Sequence, residues 1–283
     1  MTAVAAVPHF DRTEANRAAI PRLVWRDAPW WGGVTALVVT LVLGLTVVPW
    51  IAAVIVGVLV GAGVAVARTT VLRNAATAGL TQILGGTELD PEEHPRLANL
   101  LEGLCVKTGV VEPSVRVLDD AGANLAVFGP PDGAVLVITR GAIDALSRVE
   151  LEGLLAEALW RIRTSDAELA GLAATFRAGS AVRAKGPAAP SGWERRQPAI
   201  AALFGEHRHL LADQGAVSVT RYPPGLARAL EAMERTGTAV TSATWGTAHL
   251  WLCPPLTGDP GAEVPAVTGF PATGVRVQLL DEL

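Results

Sequence analysis

Lysine is almost missing from this chain. Lys107 and Lys185 are the only two in 283 residues, and arginine supplies the other basic side chains. Together with abundant Ala, Gly and Val, that bias fits a GC-rich genome and carries no mechanism. Charge of any kind is scarce, at 18% of residues with a net charge of −4, so nothing suggests a nucleic-acid surface. Cys105 and Cys253 stand alone, without a CxxC or a His-rich neighbourhood. This argues against a disulfide framework or a thiolate metal site and fits a reducing compartment.

What the chain has instead is apolar bulk. Half of it is hydrophobic and its mean hydropathy is +0.37, more than an ordinary soluble domain carries. From Ala28 to Ala67, forty residues pass without one charged side chain. As one helix the run would be about 60 Å long, twice the roughly 30 Å hydrocarbon core. Pro49 near its middle predicts two transmembrane helices, about Trp30–Val48 and Trp50–Ala67, with Trp30, Trp31 and Trp50 at interfacial depth. Ala53, Gly57, Gly61 and Ala65 recur every fourth residue, a small-residue seam suited to close helix contact and to homo- or hetero-oligomerisation. Arg22 and Arg26 precede the run and Arg68 and Arg73 follow it, while the turn is uncharged. The positive-inside rule then places both ends in the cytoplasm. The expected organisation is a loose cytoplasmic tail (1–27), a hairpin (28–67) and a cytoplasmic domain (68–283).

In that domain a linking helix over 73–84 and the Gly85-Gly86 break lead to a helix expected to open at Asp90-Pro91-Glu92-Glu93, with Asp90 as its cap. Leu97, Leu100, Leu101 and Leu104 form its apolar face, and Gly109 stops it. Strands are predicted at 114–118, 124–128 and 134–139, the last two forming a hairpin through Gly129-Pro130-Pro131-Asp132-Gly133. A helix over 148–163, continuing toward Phe176, a flexible loop over 179–198, helices over 198–220 and 224–235, a Pro/Gly-rich loop over 256–268 and a short final helix complete the reading. The fold class is α+β: a two-helix hairpin before a mainly helical domain with a small sheet.

Within the long helix stands Leu154-Leu155-Ala156-Glu157-Ala158-Leu159-Trp160-Arg161-Ile162-Arg163. A helical metallopeptidase site uses His-Glu-x-x-His, because residues four apart share a face and aim two imidazoles at one metal. Glu157, Ala158 and Arg161 occupy the places of the first His, the Glu and the second His. Around this helix, Asn124-Leu125-Ala126-Val127-Phe128-Gly129, Val137-Ile138-Thr139-Arg140-Gly141, Arg208-His209-Leu210-Leu211-Ala212-Asp213, His249-Leu250-Trp251-Leu252-Cys253-Pro254-Pro255-Leu256 and Phe270-Pro271-Ala272-Thr273-Gly274-Val275-Arg276-Val277 follow in order. From about residue 30 onward the chain thereby resembles the HtpX-like membrane metallopeptidases, relatives of the CAAX prenyl proteases.

The resemblance implies a zincin-like domain in the inner membrane. It also implies that the ligand and base positions now hold Glu157, Ala158, Arg161 and His209, that Asp213 is a supporting residue, that Arg276 matches the family's late Arg, and that Phe270 replaces a late His. Zinc is then expected to be lost and no cofactor remains. Arg161 would fill the metal's place, with Glu157, Asp213 and His209 around it; the competing expectation is a solvated ion pair between Glu157 and Arg161. Glu157, His207, His209 and His249 could in principle supply ligands to an unorthodox metal site, although His207 and His209, two apart on a helix, point to different sides; His9 and His94 read as surface histidines. In such peptidases an edge strand receives substrate backbone, which makes Asn124, Leu125, Ala126, Val127 and Phe128 a candidate peptide-binding strand. The expected function is a catalytically inactive homologue that binds a membrane protein or peptide. Alternatives are a divergent zinc endopeptidase and a purely structural subunit; the lipid bilayer is a partner in every case.

Overall fold

The computed structural model describes residues 9–283 except 27, 47, 187, 206 and 257–269; the predicted 256–268 loop thus falls almost wholly outside the described residues. The chain opens with α1 (His9–Val24), followed by α2 (Ala28–Gly44) and α3 (Trp50–Leu84). Residues 9–24 are therefore not a loose tail. Asn16, Ile20, Leu23 and Val24 are buried at helical spacing, and Asn16 Nδ2 donates to the Thr164 carbonyl at 2.9 Å. Two stretches, Thr13–Gly44 and Trp50–Leu84, are long and apolar enough to cross a membrane.

The second half of the hairpin and the expected linking helix are one rod. Thirty-five residues give α3 a length of about 52 Å, and nothing breaks it until Gly85, at φ 77°. On α3, Ala53, Gly57, Gly61 and Ala65 are buried against α2. A β-carbon at Gly57 would stand 2.7 Å from the Ala36 carbonyl oxygen, and one at Gly61 2.9 Å from Ala36 Cβ. The small-residue seam is spent on closing the hairpin within one chain, not left open for an oligomer.

The sheet contains β1 (Thr87–Glu88), β2 (Ser114–Leu118), β3 (Leu125–Phe128) and β4 (Val135–Thr139) in the order β1-β2-β4-β3. β4 runs parallel to β2 and antiparallel to β3, with Leu125 opposite Ile138 and Val127 opposite Leu136. These four side chains face one core, while Ala126, Phe128, Val135 and Val137 face another. Burial on both faces is why β4 reads as an unbroken apolar run.

Helix α4 (Pro95–Thr108) starts later than expected. Asp90 Oδ1 accepts from the Glu92 N–H at 2.8 Å, which makes residues 90–93 a turn, and Pro95 takes the first helical position. After α5 (Arg140–Ala145), α6 (Arg148–Arg163) begins with Glu150 Oε2 accepting from the Ser147 N–H at 2.7 Å. It ends at Arg163, and Ser165, in the left-handed region at φ 57°, turns the chain, so the continuation toward Phe176 is a separate helix, α7 (Asp166–Phe176). The segment expected to be flexible holds a 3-10 turn at Gly179–Arg183 and then α8 (Trp193–Phe204), whose Trp193, Ile200 and Phe204 are buried. Helices α9 (Arg208–Thr220), α10 (Pro223–Thr236) and α11 (Thr273–Asp281) complete the domain.

Closing the hairpin with a larger side chain should open it. Gly57→Val is expected to destabilise by about 1–3 kcal/mol, the usual range for overpacking, read as a lowered thermal midpoint in detergent. Gly63→Val, where a β-carbon meets nothing within 4 Å, is the control.

Candidate functional site

Two glycines bring the site helices together. Gly153 on α6 lies so near α10 that a β-carbon would stand 2.8 Å from the Leu226 nitrogen. Gly215 on α9 leaves room for the Trp160 ring, which a β-carbon there would overlap. Helix α6 is thereby clamped between α9 and α10, and its residues 153–162 are all buried.

At the α6–α9 contact, Glu157 is 0% exposed, Arg161 1% and His209 3%. Arg161 Nε donates to Glu157 Oε1 at 2.8 Å, Nη2 stands 2.7 Å from the same oxygen as the close contact of the ion pair, and Nη2 lies 2.9 Å from His209 Nδ1. The solvated ion pair is thus ruled out. Because a guanidinium only donates, Nδ1 accepts and the neutral imidazole carries its proton on Nε2. Glu157 Oε2 and Arg161 Nη1 are buried without a hydrogen-bond partner among the described residues. Burial raises the Glu157 pKa against the pull of Arg161, and burial together with the Arg161 charge holds His209 well below 6.5. Ala158, facing the core, carries no group able to act as a base.

Asp213 does not join Arg161. Its carboxylate receives Arg276 Nε at 2.8 Å and Nη2 at 2.6 Å, while Arg276 Nη1 donates to the Leu252 carbonyl at 2.8 Å. Burial opposes the Arg276 charge, but the Asp213 carboxylate overrides it and raises the pKa. A third pair, which the sequence reading missed, joins Arg208 to Asp166, with Nε and Nη2 at 2.9 and 2.7 Å from the two oxygens. Arg208 Nη1 reaches the His249 carbonyl at 2.6 Å, and His249 Nε2 lies 3.0 Å from the Ala170 carbonyl. Burial, reinforced by Arg208, lowers the His249 pKa to about 4. The Cys105 and Cys253 thiols, both buried, are pushed up to about 11 by burial.

These residues do not suit a dication. The lone pair of His209 and one oxygen of Glu157 are already committed to a guanidinium, whose positive charge occupies the space between them. Among the described residues no group of three His, Cys, Asp or Glu side chains is placed to hold a metal. His207 stands exposed just before the start of α9 and His249 belongs to the Ala170 contact, so neither meets Glu157 in a hydrogen bond.

The strand expected to bind peptide is closed. Leu125, Ala126, Val127 and Phe128 are fully buried. The open side of β3 is taken by the chain itself: Ala126 bridges Trp251, and the Leu252 N–H donates to the Leu125 carbonyl at 2.9 Å. Asn124 ties this return down, its Nδ2 donating to the Thr238 and Cys253 carbonyls at 2.8 and 3.1 Å.

An apolar helical hairpin long enough to cross a membrane, carrying an α+β domain with a buried polar cluster between two of its helices, describes the architecture of a membrane protein. Comparison with known proteins agrees. The chain is 30% identical over 199 residues to the Protease HtpX homolog of Dictyoglomus turgidum, covering 62% of this chain and 66% of the relative. It is 31% identical over 198 residues to that of Dictyoglomus thermophilum, covering 62% and 65%. Against the homolog of Tropheryma whipplei it is 27% identical over 225 residues, covering 70% and 76%. The chain thus spans just under two thirds of the length of the two Dictyoglomus relatives. No family model and no solved structure matches. These similarities support membership of the HtpX-like family.

Two measurements probe the cluster. Arg161→Met strands a buried carboxylate and is expected to lose on the order of 3–5 kcal/mol, most of which Glu157→Leu with Arg161→Met recovers; chemical denaturation reads both. Below pH 6.5 the unfolded chain takes up protons that folded His209 and His249 refuse, so their contribution to stability falls with pH, while Glu157, with its raised pKa, acts in the opposite sense. Between pH 6 and about 4, His249→Gln is therefore expected to flatten the measured slope by about 1.4 kcal/mol per pH unit.

Proposed function

We propose that this chain is a membrane-anchored, catalytically inactive member of its family that acts as a binding, scaffold or regulatory subunit for another membrane protein. The observation that carries this reading is the Arg161 guanidinium held between Glu157 Oε1 and His209 Nδ1 in a buried core. In this alignment with the family, Glu157 and Arg161 stand at the two histidine ligands, Ala158 at the catalytic carboxylate and His209 at the third ligand. A hydrolytic site of this type needs three ligands, an open coordination position and a nearby base. Here a fixed cation takes the centre and no base adjoins it, so zinc has no role in the reading.

The closed edge of β3 narrows how a partner is bound. Strand addition is blocked by Trp251 and Leu252, which leaves the apolar hairpin and the outer surface of the domain for contact. Arg22, Arg26, Arg68 and Arg73 flank the hairpin on one side, which supports placing both ends in the cytoplasm of an inner-membrane protein.

The test compares the wild type with the fourfold variant Glu157→His/Ala158→Glu/Arg161→His/His209→Glu. Wild-type protein in detergent is expected to bind less than 0.1 equivalents of zinc, on the order expected for a site with no free ligand set, and to leave casein intact. The variant is expected to take up about one equivalent, as a three-ligand site should. Stoichiometric zinc with casein cleavage by the wild type would sink the proposal and restore the divergent peptidase.

A further inference from the structure

We propose that the domain contains a small-molecule site, adjoining the ion-pair cluster through His209, for an uncharged apolar compound bearing a carbonyl-type hydrogen-bond acceptor. The site is a cavity of about 490 Å³ between α8, the start of α9 and the 245–249 turn. Trp193, Ile200, Phe204, Trp245 and Phe270 supply most of its apolar wall. That volume lies within the roughly 300–1,000 Å³ range of small-molecule pockets.

The polar anchor is His209, which lines the cavity and stacks near Phe270, ring centroids 4.7 Å apart. Arg161 holds the ring from behind through Nδ1, so its proton sits on Nε2. That Nε2–H has no hydrogen-bond partner among the described residues, although the residue is only 3% exposed. A donor left unsatisfied at an apolar site is costly unless a guest or a water meets it. The cavity therefore presents the His209 Nε2–H as an oriented donor at the end of an apolar chamber.

Charge decides the rest. The lining also includes Gln197, Arg208 and His249. Arg208 is neutralised by Asp166, Arg161 by Glu157 and Arg276 by Asp213, so among the described residues lining the cavity an entering anion finds no unpaired cation to offset its lost hydration. A cation would face the His209 donor. A ketone, ester or ether on an apolar body suits both the wall and the anchor. This assignment rests on the His209 tautomer and the cavity, and it stands whether or not the chain is a peptidase.

The experiment follows the side-chain ¹⁵N resonances of the histidines in full-length protein in nanodiscs at neutral pH. The probes are 2-decanone, decane and decanoate. His209 is expected to show its proton on Nε2, and 2-decanone to shift that resonance saturably. One hydrogen bond should make 2-decanone roughly three- to tenfold tighter than decane, with decanoate weakest. Ala201→Trp, on the cavity wall, is expected to abolish the shift while keeping the His209 resonance; Ala202→Trp serves if the first variant does not fold. Equal binding of 2-decanone and decane, tightest binding of decanoate, a proton on Nδ1, or a shift that survives the wall variant would each overturn the proposal.

Discussion

A guanidinium cannot give up its charge, and three are buried among the described residues. Each is matched by one carboxylate: Arg161 by Glu157, Arg208 by Asp166, Arg276 by Asp213. Two of the pairs cross between helices, joining α7 to α9 and α9 to α11. The third lies within α6 and leans on α9 through His209. Helix α9 is thus the common member of a neutral network. Such pairs add little net stability over a well-packed apolar core, but breaking one leaves a stranded charge, so they penalise any other arrangement of these helices.

Packing makes the network possible. Gly153 and Gly215 admit a neighbouring backbone and an indole ring at distances no β-carbon would allow, and this sets the spacing at which Arg161 reaches His209. The sheet contributes from beneath. β3 and β4, buried on both faces, hold two cores in register, and the return of residues 250–253 against β3 carries the Leu252 carbonyl to Arg276. Closing that strand edge and anchoring α11 are two effects of the same segment.

Much of this was legible in the residues, for reasons that are local. Forty uncharged residues split by Pro49 announce a hairpin, and the apolar run of β4 announces a doubly buried strand. Glu157 and Arg161, four apart, had to share a helix face. What escaped was set by distant partners. The stripe of Asn16, Ile20, Leu23 and Val24 is diluted by arginines, and the Thr164 carbonyl, α7 and α8 are what it covers. Trp251 lies 125 residues from Ala126, so no local pattern shows that it closes the strand. The Asp166–Arg208 pair has the same character: Asp166 looks like a helix-start acid until the fold brings α9 beside it. Within 179–198, glycine, proline and arginine mask the apolar spacing that continues from Trp193 into α8.

The rod of α3 has a mechanical corollary. It enters the sheet-side core through Ala76, Leu80 and Leu84 without a joint at the end of its apolar stretch, and Arg73 fastens it further by an ion pair to Glu168. A domain mounted this way has no swivel. If the lipid around the hairpin thins or thickens and the rod leans to compensate, the whole domain leans with it, and its outer faces change their angle to the bilayer plane.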